Sequence, residues 1–275
     1  MTRWWRLRGR QLDLGAGTRL MGIVNITPDS FSDGGRYLAP DQALKRAEEL
    51  VAAGADLIDV GGESTRPGYQ PVSVDVEWER IRPVLQGGIT RLGVPVSVDT
   101  QKTEVARRAL DHGAHIINDI SGLADVESMA RVLTEYGAGY VLMYNLAEPV
   151  ATPISSRTIR PWLEERLMRL TQAGAASTQI VVDPGLGFAY NVENNWAVLE
   201  DLETLAGLGA GLLVGPSRKR FLGQVTGRGP EDRDVATAAL AALLVGKGVD
   251  ILRVHSVAMA KDAVRVGERW GRHNG

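Results

Sequence analysis

Cysteine is absent from this sequence. That excludes disulfides, thiolate catalysis and thiolate zinc sites together, and it fits a reducing cytoplasm. Neither sign of charge dominates, since 31 Lys and Arg face 33 Asp and Glu for a formal net charge of −2. A general electrostatic case for nucleic acid or an anionic membrane is therefore missing, and any bound anion must be caught by a local basic cluster. No stretch approaches the roughly 18 apolar residues of a membrane span. Met1–Gly15 is basic and polar without an apolar segment of signal-peptide length, so a soluble, cytoplasmic protein is expected. Histidine is scarce: the four present form no local pair at ligand spacing, which argues against a structural zinc or iron site. His112 and His273 read as solvent-facing, and His115 as the start of a strand. Linkers, charge runs and low-complexity tracts are also missing, which leaves one domain.

What is present is an ordinary globular composition, 44% hydrophobic and 23% charged, on 275 residues. Such a length is close to that of a (β/α)8 barrel and can bury most apolar surface in one core. Short apolar runs alternate with amphipathic stretches. The runs are Leu20–Asn25, Leu57–Val60, Val94–Asp99, His115–Asn118, Gly139–Met143, Gln179–Asp183, Leu212–Gly215 and Ile251–Val254. The helical stretches after them are Asp41–Ala53, Val74–Leu85, Lys102–His112, Val126–Tyr136, about Ile159–Ala175, Asn194–Leu205, Glu231–Val245 and Met259–Trp270. Continuous apolar strands separated by helices predict a parallel sheet covered by helices. Eight such units favour a single closed (β/α)8 TIM barrel over an open doubly wound sheet, the alternative. The barrel is expected over residues 20–275. Residues 1–19 read as an N-terminal lead-in that forms a small hairpin, with Trp4 and Trp5 as its packing. Ala236–Leu244 is small and apolar enough for helix packing or for a subunit interface, with equal weight.

Almost every run ends in a polar or glycine-rich group. These ends are Asn25, Gly61–Arg66, Asp99, Asn118, Asp183, Ser217-Arg218-Lys219, and Arg253 with His255. In a barrel all of them meet at one rim, where active sites of this fold are built. Each alone could be a helix cap or the start of a turn. As a set they are not, because Ser, Gly and Pro would cap equally well, and buried carboxylates are costly without partners. Asp99, Asp183 and Asn118 suit a flat heterocycle bearing an amino group and ring N–H groups, such as a pterin edge. Arg66, Lys219, Arg253 and His255 suit a phosphate or diphosphate. Asn25 offers an oxygen to Mg²⁺, which would come largely with the substrate, since one amide does not make a protein cage. Two Gly- and Pro-rich loops, Thr27–Gly35 and Gly61–Gly68, follow the first two runs and read as covers over the site. A pair of plain surface turns would not explain Phe31, Ser64, Thr65 and Arg66 within them.

From about Leu20 to Arg269 the chain resembles the bacterial dihydropteroate synthases. The segments that carry the resemblance begin with MGIVNITPDSFSDGG at Met21–Gly35, GADLIDVGGESTRPG at Gly54–Gly68 and VSVDT at Val96–Thr100. They continue with INDISG at Ile117–Gly122, VVDPGLGF at Val181–Phe188, GPSRKRFLG at Gly215–Gly223 and LRVHSV at Leu252–Val257. Two are long and very specific, and all stand in the family's order. The resemblance implies that Asp99, Asn118, Met143, Asp183 and Lys219 hold the pterin ring. It implies that Asn25, Thr65, Arg66, Arg253 and His255 hold the diphosphate, with Mg²⁺ near Asn25. Phe31, Pro67, Ser217 and Lys219 would line a p-aminobenzoate pocket, and Lys219, Asp99, Asp183 and Arg253 would be the catalytic set. The implied reaction joins p-aminobenzoate to 6-hydroxymethyl-7,8-dihydropterin diphosphate in a homodimer whose p-aminobenzoate site sulfonamides contest.

One segment departs from the family, which usually has Leu-Met-His after the fifth strand; here Leu142-Met143-Tyr144-Asn145 stands. Met143 keeps its expected place against the pterin, and Tyr144 is expected to alter the loop more than the chemistry. Three other functions compete. A methyltransferase using methyltetrahydrofolate would not need Ser64-Thr65-Arg66 or Ser217-Arg218-Lys219. A catalytically retired pterin-binding protein would have lost Phe31, Arg66 or Lys219. A phosphosugar aldolase would carry a Schiff-base lysine inside a strand, and none of the runs contains one.

Overall fold

The structure, a computed structural model, describes residues 3–26, 39–63, 70–146, 153–188 and 191–271. Its centre is a closed barrel of eight parallel strands: β3 (Arg19–Asn25), β4 (Leu57–Gly61), β5 (Val96–Asp99), β6 (Ile116–Asp119), β7 (Gly139–Met143), β8 (Ile180–Asp183), β9 (Gly211–Val214) and β10 (Ile251–Val254). They follow one another around the ring in chain order, and β10 closes it on β3 with Leu252 opposite Leu20. The helices packed outside are α1 (Ala39–Ala52), α2 (Val74–Gly87), α3 (Thr103–Asp111), α4 (Val126–Tyr136), α5 (Ser156–Gln172), α6 (Val192–Glu200), α8 (Asp234–Gly246) and α9 (Val257–Gly271). The TIM barrel read from the alternating runs is therefore the fold. One element differs from that reading. A short helix, α7 (Arg220–Thr226), stands between β9 and α8, and seven residues are too few to show a 3.6-residue period.

Both faces of the strands are buried, so each reads as a continuous apolar run, yet the two faces meet different surroundings. Leu20, Val24, Ile58, Val60, Val96, Val98, Ile117, Tyr140, Leu142, Val182 and Val214 pack outward into one large core with the helices. Met21, Leu57, Ile116, Val141, Val181, Leu213 and Ile251 form a second cluster at the N-terminal end of the barrel. Strand alternation places Asn25, Asp59, Asp99, Asn118, Met143, Asp183 and Arg253 on that same inner face, above the apolar floor.

The floor is sealed from below by an antiparallel hairpin, β1 (Trp4–Leu7) with β2 (Arg10–Asp13). Trp5, 0% exposed, joins Leu7 and Leu14 in the floor cluster and donates its indole N–H to the Gln179 carbonyl at 2.8 Å. Gly139 at the start of β7 makes the fit possible: a Cβ there would meet Leu7 at 2.5 Å and Trp5 at 3.3 Å. Trp4, on the other face of β1, is 45% exposed. Replacing Trp5 by Ala is expected to lower the unfolding free energy by about 3–5 kcal/mol through the cavity it leaves. Trp4→Ala should move it by less than about 1 kcal/mol. Urea denaturation of the two variants checks this; equal losses would mean the hairpin does not seal the barrel.

Candidate active site

At the C-terminal mouth, the strand ends converge as a connected set. Arg253 crosses the barrel interior, donating from Nε to Asp59 Oδ2 at 2.7 Å and from Nη2 to Asp99 Oδ2 at 2.9 Å. Asn118 Nδ2 donates to the same Asp59 oxygen at 3.0 Å. Asp183 stands beside Met143 in the register of β7 and β8, and its Oδ1 accepts the Gly185 N–H at 2.7 Å. Lys219 sits at the N-terminus of α7 and reaches over the Phe188 ring, Nζ 4.2 Å from its centroid. Gly187 makes that path possible: its φ is +79°, and a Cβ on it would stand 2.7 Å from Lys219 Cδ.

Withdrawal from water tunes these groups. Burial pushes the Asp99 carboxyl up to about 7, with Arg253 pulling it back and Asp59 adding to the rise. Burial pushes Asp183 up to about 6 against the Gly185 N–H and Lys219, and pushes the Lys219 ammonium down to about 8 against Asp183. His255 is pushed down to about 3 by burial, with Arg218 and Arg253 adding to the fall. It is thus a neutral imidazole at neutral pH, which revises its place in the cationic set read from the sequence. Ser217 Oγ accepts the His255 backbone N–H at 3.1 Å and lies 2.8 Å from Nδ1. With the hydroxyl hydrogen turned to Nδ1, Nε2 is left as an N–H donor for an anion.

Arg218, between Ser217 and Lys219, turns away from the mouth. Its φ of +58° is left-handed, a strained conformation for a non-glycine residue. A two-pronged bridge to Asp234 at 2.8 and 2.9 Å, a contact to Glu231 and an N–H bond to Thr237 Oγ1 at 3.1 Å hold it there. On either side of it, Ser217 meets His255 and Lys219 meets Phe188.

Asn25 Oδ1 and Asp99 Oδ2 flank Gly61, 3.7 and 3.9 Å from where its Cβ would lie. Beside them a small cleft is lined by Glu63, Glu77, Asp99, Thr100, Gln101 and Ile120. Under it, Lys102 Nζ lies 2.5 Å from both Glu63 Oε2 and Glu77 Oε2, and Glu63 also accepts the Val72 N–H at 3.1 Å. This junction joins Glu63 and Val72, described residues on either side of the segment that includes Thr65, Arg66 and Pro67. Those three residues and Phe31 lie outside the described residues. Among the described residues, no group of three or more His, Cys, Asp or Glu could hold a metal ion.

A family model described as "Pterin binding enzyme" matches residues 21–255. The dihydropteroate synthase of Bacillus subtilis (strain 168) is 44% identical over 262 residues, 94% of this chain and 92% of that protein. The chain belongs to the dihydropteroate synthase family. Two solved dihydropteroate synthases share the fold. One, from Clostridium difficile in the presence of pteroic acid, is 39% identical with a TM-score of 0.89, over 94% of this chain and 98% of that one. The other, from Xanthomonas albilineans with 4-aminobenzoic acid, is 38% identical with a TM-score of 0.91, over 97% and 98% of the two chains.

At the one departure from the dihydropteroate synthase pattern, Tyr144 is buried outside the barrel, edge-on to Trp162 at 4.9 Å. The Arg166 guanidinium covers the Trp162 ring at 3.6 Å and donates to the Gly122 carbonyl at 3.1 Å. The substituted side chain thus packs behind the wall, and Met143 keeps the inner face. The sequence reading missed two features of the mouth, Asp59 and the Lys102 junction. Asp59 had a visible signal, a carboxylate in the middle of an apolar strand, two residues before the strand end and so on the same face.

The raised carboxyls make a stability prediction with a definite sign. Asp99 and Asp183 hold protons more tightly folded than unfolded, so their stabilising contribution is present below about pH 4 and lost as pH rises through about 6 to 7. Between about pH 5 and about pH 8 the ligand-free protein is expected to lose roughly 2 kcal/mol relative to Asp99→Asn. Urea denaturation at both pH values checks it; parallel behaviour of the two proteins would contradict the assignment.

Proposed function

We propose that this chain is a dihydropteroate synthase, joining p-aminobenzoate to 6-hydroxymethyl-7,8-dihydropterin diphosphate and releasing 7,8-dihydropteroate and diphosphate. One observation carries the reading: buried Asp99, Asn118 and Asp183 share a single barrel mouth with Lys219 and Arg253. That mouth offers acceptors for a heterocycle's N–H edge next to cations for a leaving anion. The relatives solved with pteroic acid and with 4-aminobenzoic acid support it, because those molecules represent the joined product and one of its halves.

In this reading the pterin lies in the mouth against Met143, with Asp99, Asn118 and Asp183 on its N–H groups and Lys219 beside it. Arg253, Thr65, Arg66 and an N–H of His255 take the diphosphate. The bond from the pterin methylene carbon to the diphosphate oxygen breaks, and its electron pair leaves with the anion that these groups neutralise. The methylene cation is conjugated with the electron-rich ring, and its positive charge favours the ionised forms of Asp99 and Asp183, which stabilise it in turn. The p-aminobenzoate nitrogen, held against Phe31, Pro67, Ser217 and Lys219, forms the new C–N bond and then loses a proton. No general base is required, since the amine becomes acidic only after it has attacked. Mg²⁺ bound to the diphosphate would add charge neutralisation. Asn25 would hold it with one amide oxygen at the rim.

We further propose a homodimer. Helices α8 and α9 expose Val235, Leu243, Met259, Val266 and Trp270, large apolar side chains that the matching helices of a second copy would take out of water. No described helix is long and apolar enough to cross a membrane, and a cysteine-free chain suits the cytoplasm.

The purified protein with pterin diphosphate, Mg²⁺ and p-aminobenzoate should form dihydropteroate. No product under conditions where a known enzyme works would defeat the reading. Lys219→Ala combined with Asp183→Asn is expected to abolish turnover with the fold retained by circular dichroism. For the assembly, light scattering should give twice the chain mass for the wild type and the single chain mass for Leu243→Glu; a monomeric wild type would exclude the dimer.

A further inference from the structure

We propose that Asp59 is a positioning residue for the reaction, fixing both the guanidinium of Arg253 and the amide of Asn118 in the orientations in which they meet the substrate. The proposal rests on the pterin and diphosphate roles given to Asn118 and Arg253 above.

Asp59 is 0% exposed and sits one layer below the mouth on β4. Its two donors come from strands that do not neighbour β4: Arg253 from β10 on one side, and Asn118 from β6 on the other, each two strands away around the ring. One carboxylate oxygen, Oδ2, therefore ties together an arc of five strands from the inside.

The two contacts have chemical consequences beyond packing. A carboxylate accepts and does not donate, so Asn118 must turn its NH2 toward Asp59 and is left with its carbonyl oxygen for a ligand. Asp59 thereby makes Asn118 an acceptor, the polarity that a ring N–H or amino group needs. On the other side, Arg253 commits Nε to Asp59 and Nη2 to Asp99, which fixes the plane of the guanidinium. Only the remaining N–H groups of that plane can then turn to an incoming anion.

The state of Asp59 itself points the same way. Its other oxygen, Oδ1, is buried without a hydrogen-bond partner among the described residues. A bare carboxylate oxygen inside a barrel is costly, and an apolar side chain would satisfy the core better. The residue is explained by what Oδ2 holds.

The test begins with Arg253→Met and Asn118→Ala, each expected to lower kcat/KM for the pterin diphosphate. If neither does, the site roles fail and the positioning proposal falls with them; if both do, the Asp59 variants test the proposal by itself. Asp59→Asn is then expected to lower kcat/KM for the pterin diphosphate by at least about tenfold, as a small misplacement of site groups does. The KM for p-aminobenzoate should stay within about twofold, because the bonds among Asp59, Arg253, Asp99 and Asn118 do not include Ser217 or Lys219. In the Asp59→Asn/Arg253→Met double variant, the Asp59 change should cost much less than it does alone. Asp59→Glu, which keeps the charge but moves it, should show the same substrate split, and it carries the test if Asp59→Asn does not fold. Wild-type kinetics in Asp59→Asn, equal damage toward both substrates, or fully additive losses in the double variant would each overturn the proposal.

Discussion

A closed ring of eight parallel strands directs every second side chain into a space that water does not fill. Most positions there are apolar, and any charge placed among them needs a partner within reach. In this protein the partner is Arg253, whose guanidinium joins Asp59 in the middle of the barrel to Asp99 at the mouth. Without it, two carboxylates would lie together in the same dry interior. The cation makes the polar end of the barrel tolerable, and its position in turn decides where the remaining acceptors can stand.

The tolerance is incomplete, and that is informative about function. Asp99 and Asp183 are held above the usual carboxylate range and Lys219 below the usual amine range, each chiefly by loss of water. The free site is a set of groups short of partners, the condition under which a polar ligand gains most by supplying them. Around this set, the supports are firm. Arg218 is clamped by Asp234 in a left-handed backbone, Lys102 bridges Glu63 to Glu77, and Trp162 with Arg166 braces the wall behind Tyr144. The groups proposed to meet the substrate are thus desolvated but held in place by supports that do not meet it.

Much of this architecture was legible in the residues. The apolar runs and intervening amphipathic stretches gave strands and helices near their true limits, because buried parallel strands need continuous apolar side chains and their covering helices need only one apolar face. The strand-end residues Asp99, Asn118, Asp183, Arg253 and His255 do meet at one mouth. The direction of each side chain within a strand was not legible, since a strand buried on both faces carries no polar alternation to mark its inner side. Asp59 was the exception, a carboxylate within Leu57–Gly61 whose spacing from the strand end marked the inner face, although not its partners. Nor could spacing show that Arg253 would face carboxylates as well as an anion, or that His255 would lose its charge through burial. Those properties come from crossings of the barrel between residues as far apart in sequence as Asp59 and Arg253.

The hairpin beneath the barrel has a consequence for the order in which the molecule can be made. Trp5 is made well before its partners, since its indole N–H bonds at Gln179 and the floor around it includes Ile251. Until those segments follow, that ring has nowhere to go. The same holds for β3, whose second neighbour, β10, is the last strand of the ring. Partial chains can gather helices on strands, but neither end of the barrel is finished until the final strand arrives. Contacts so distant in sequence make closure the slow, cooperative event of folding, and until then a large tryptophan and an unpaired strand edge are in need of cover.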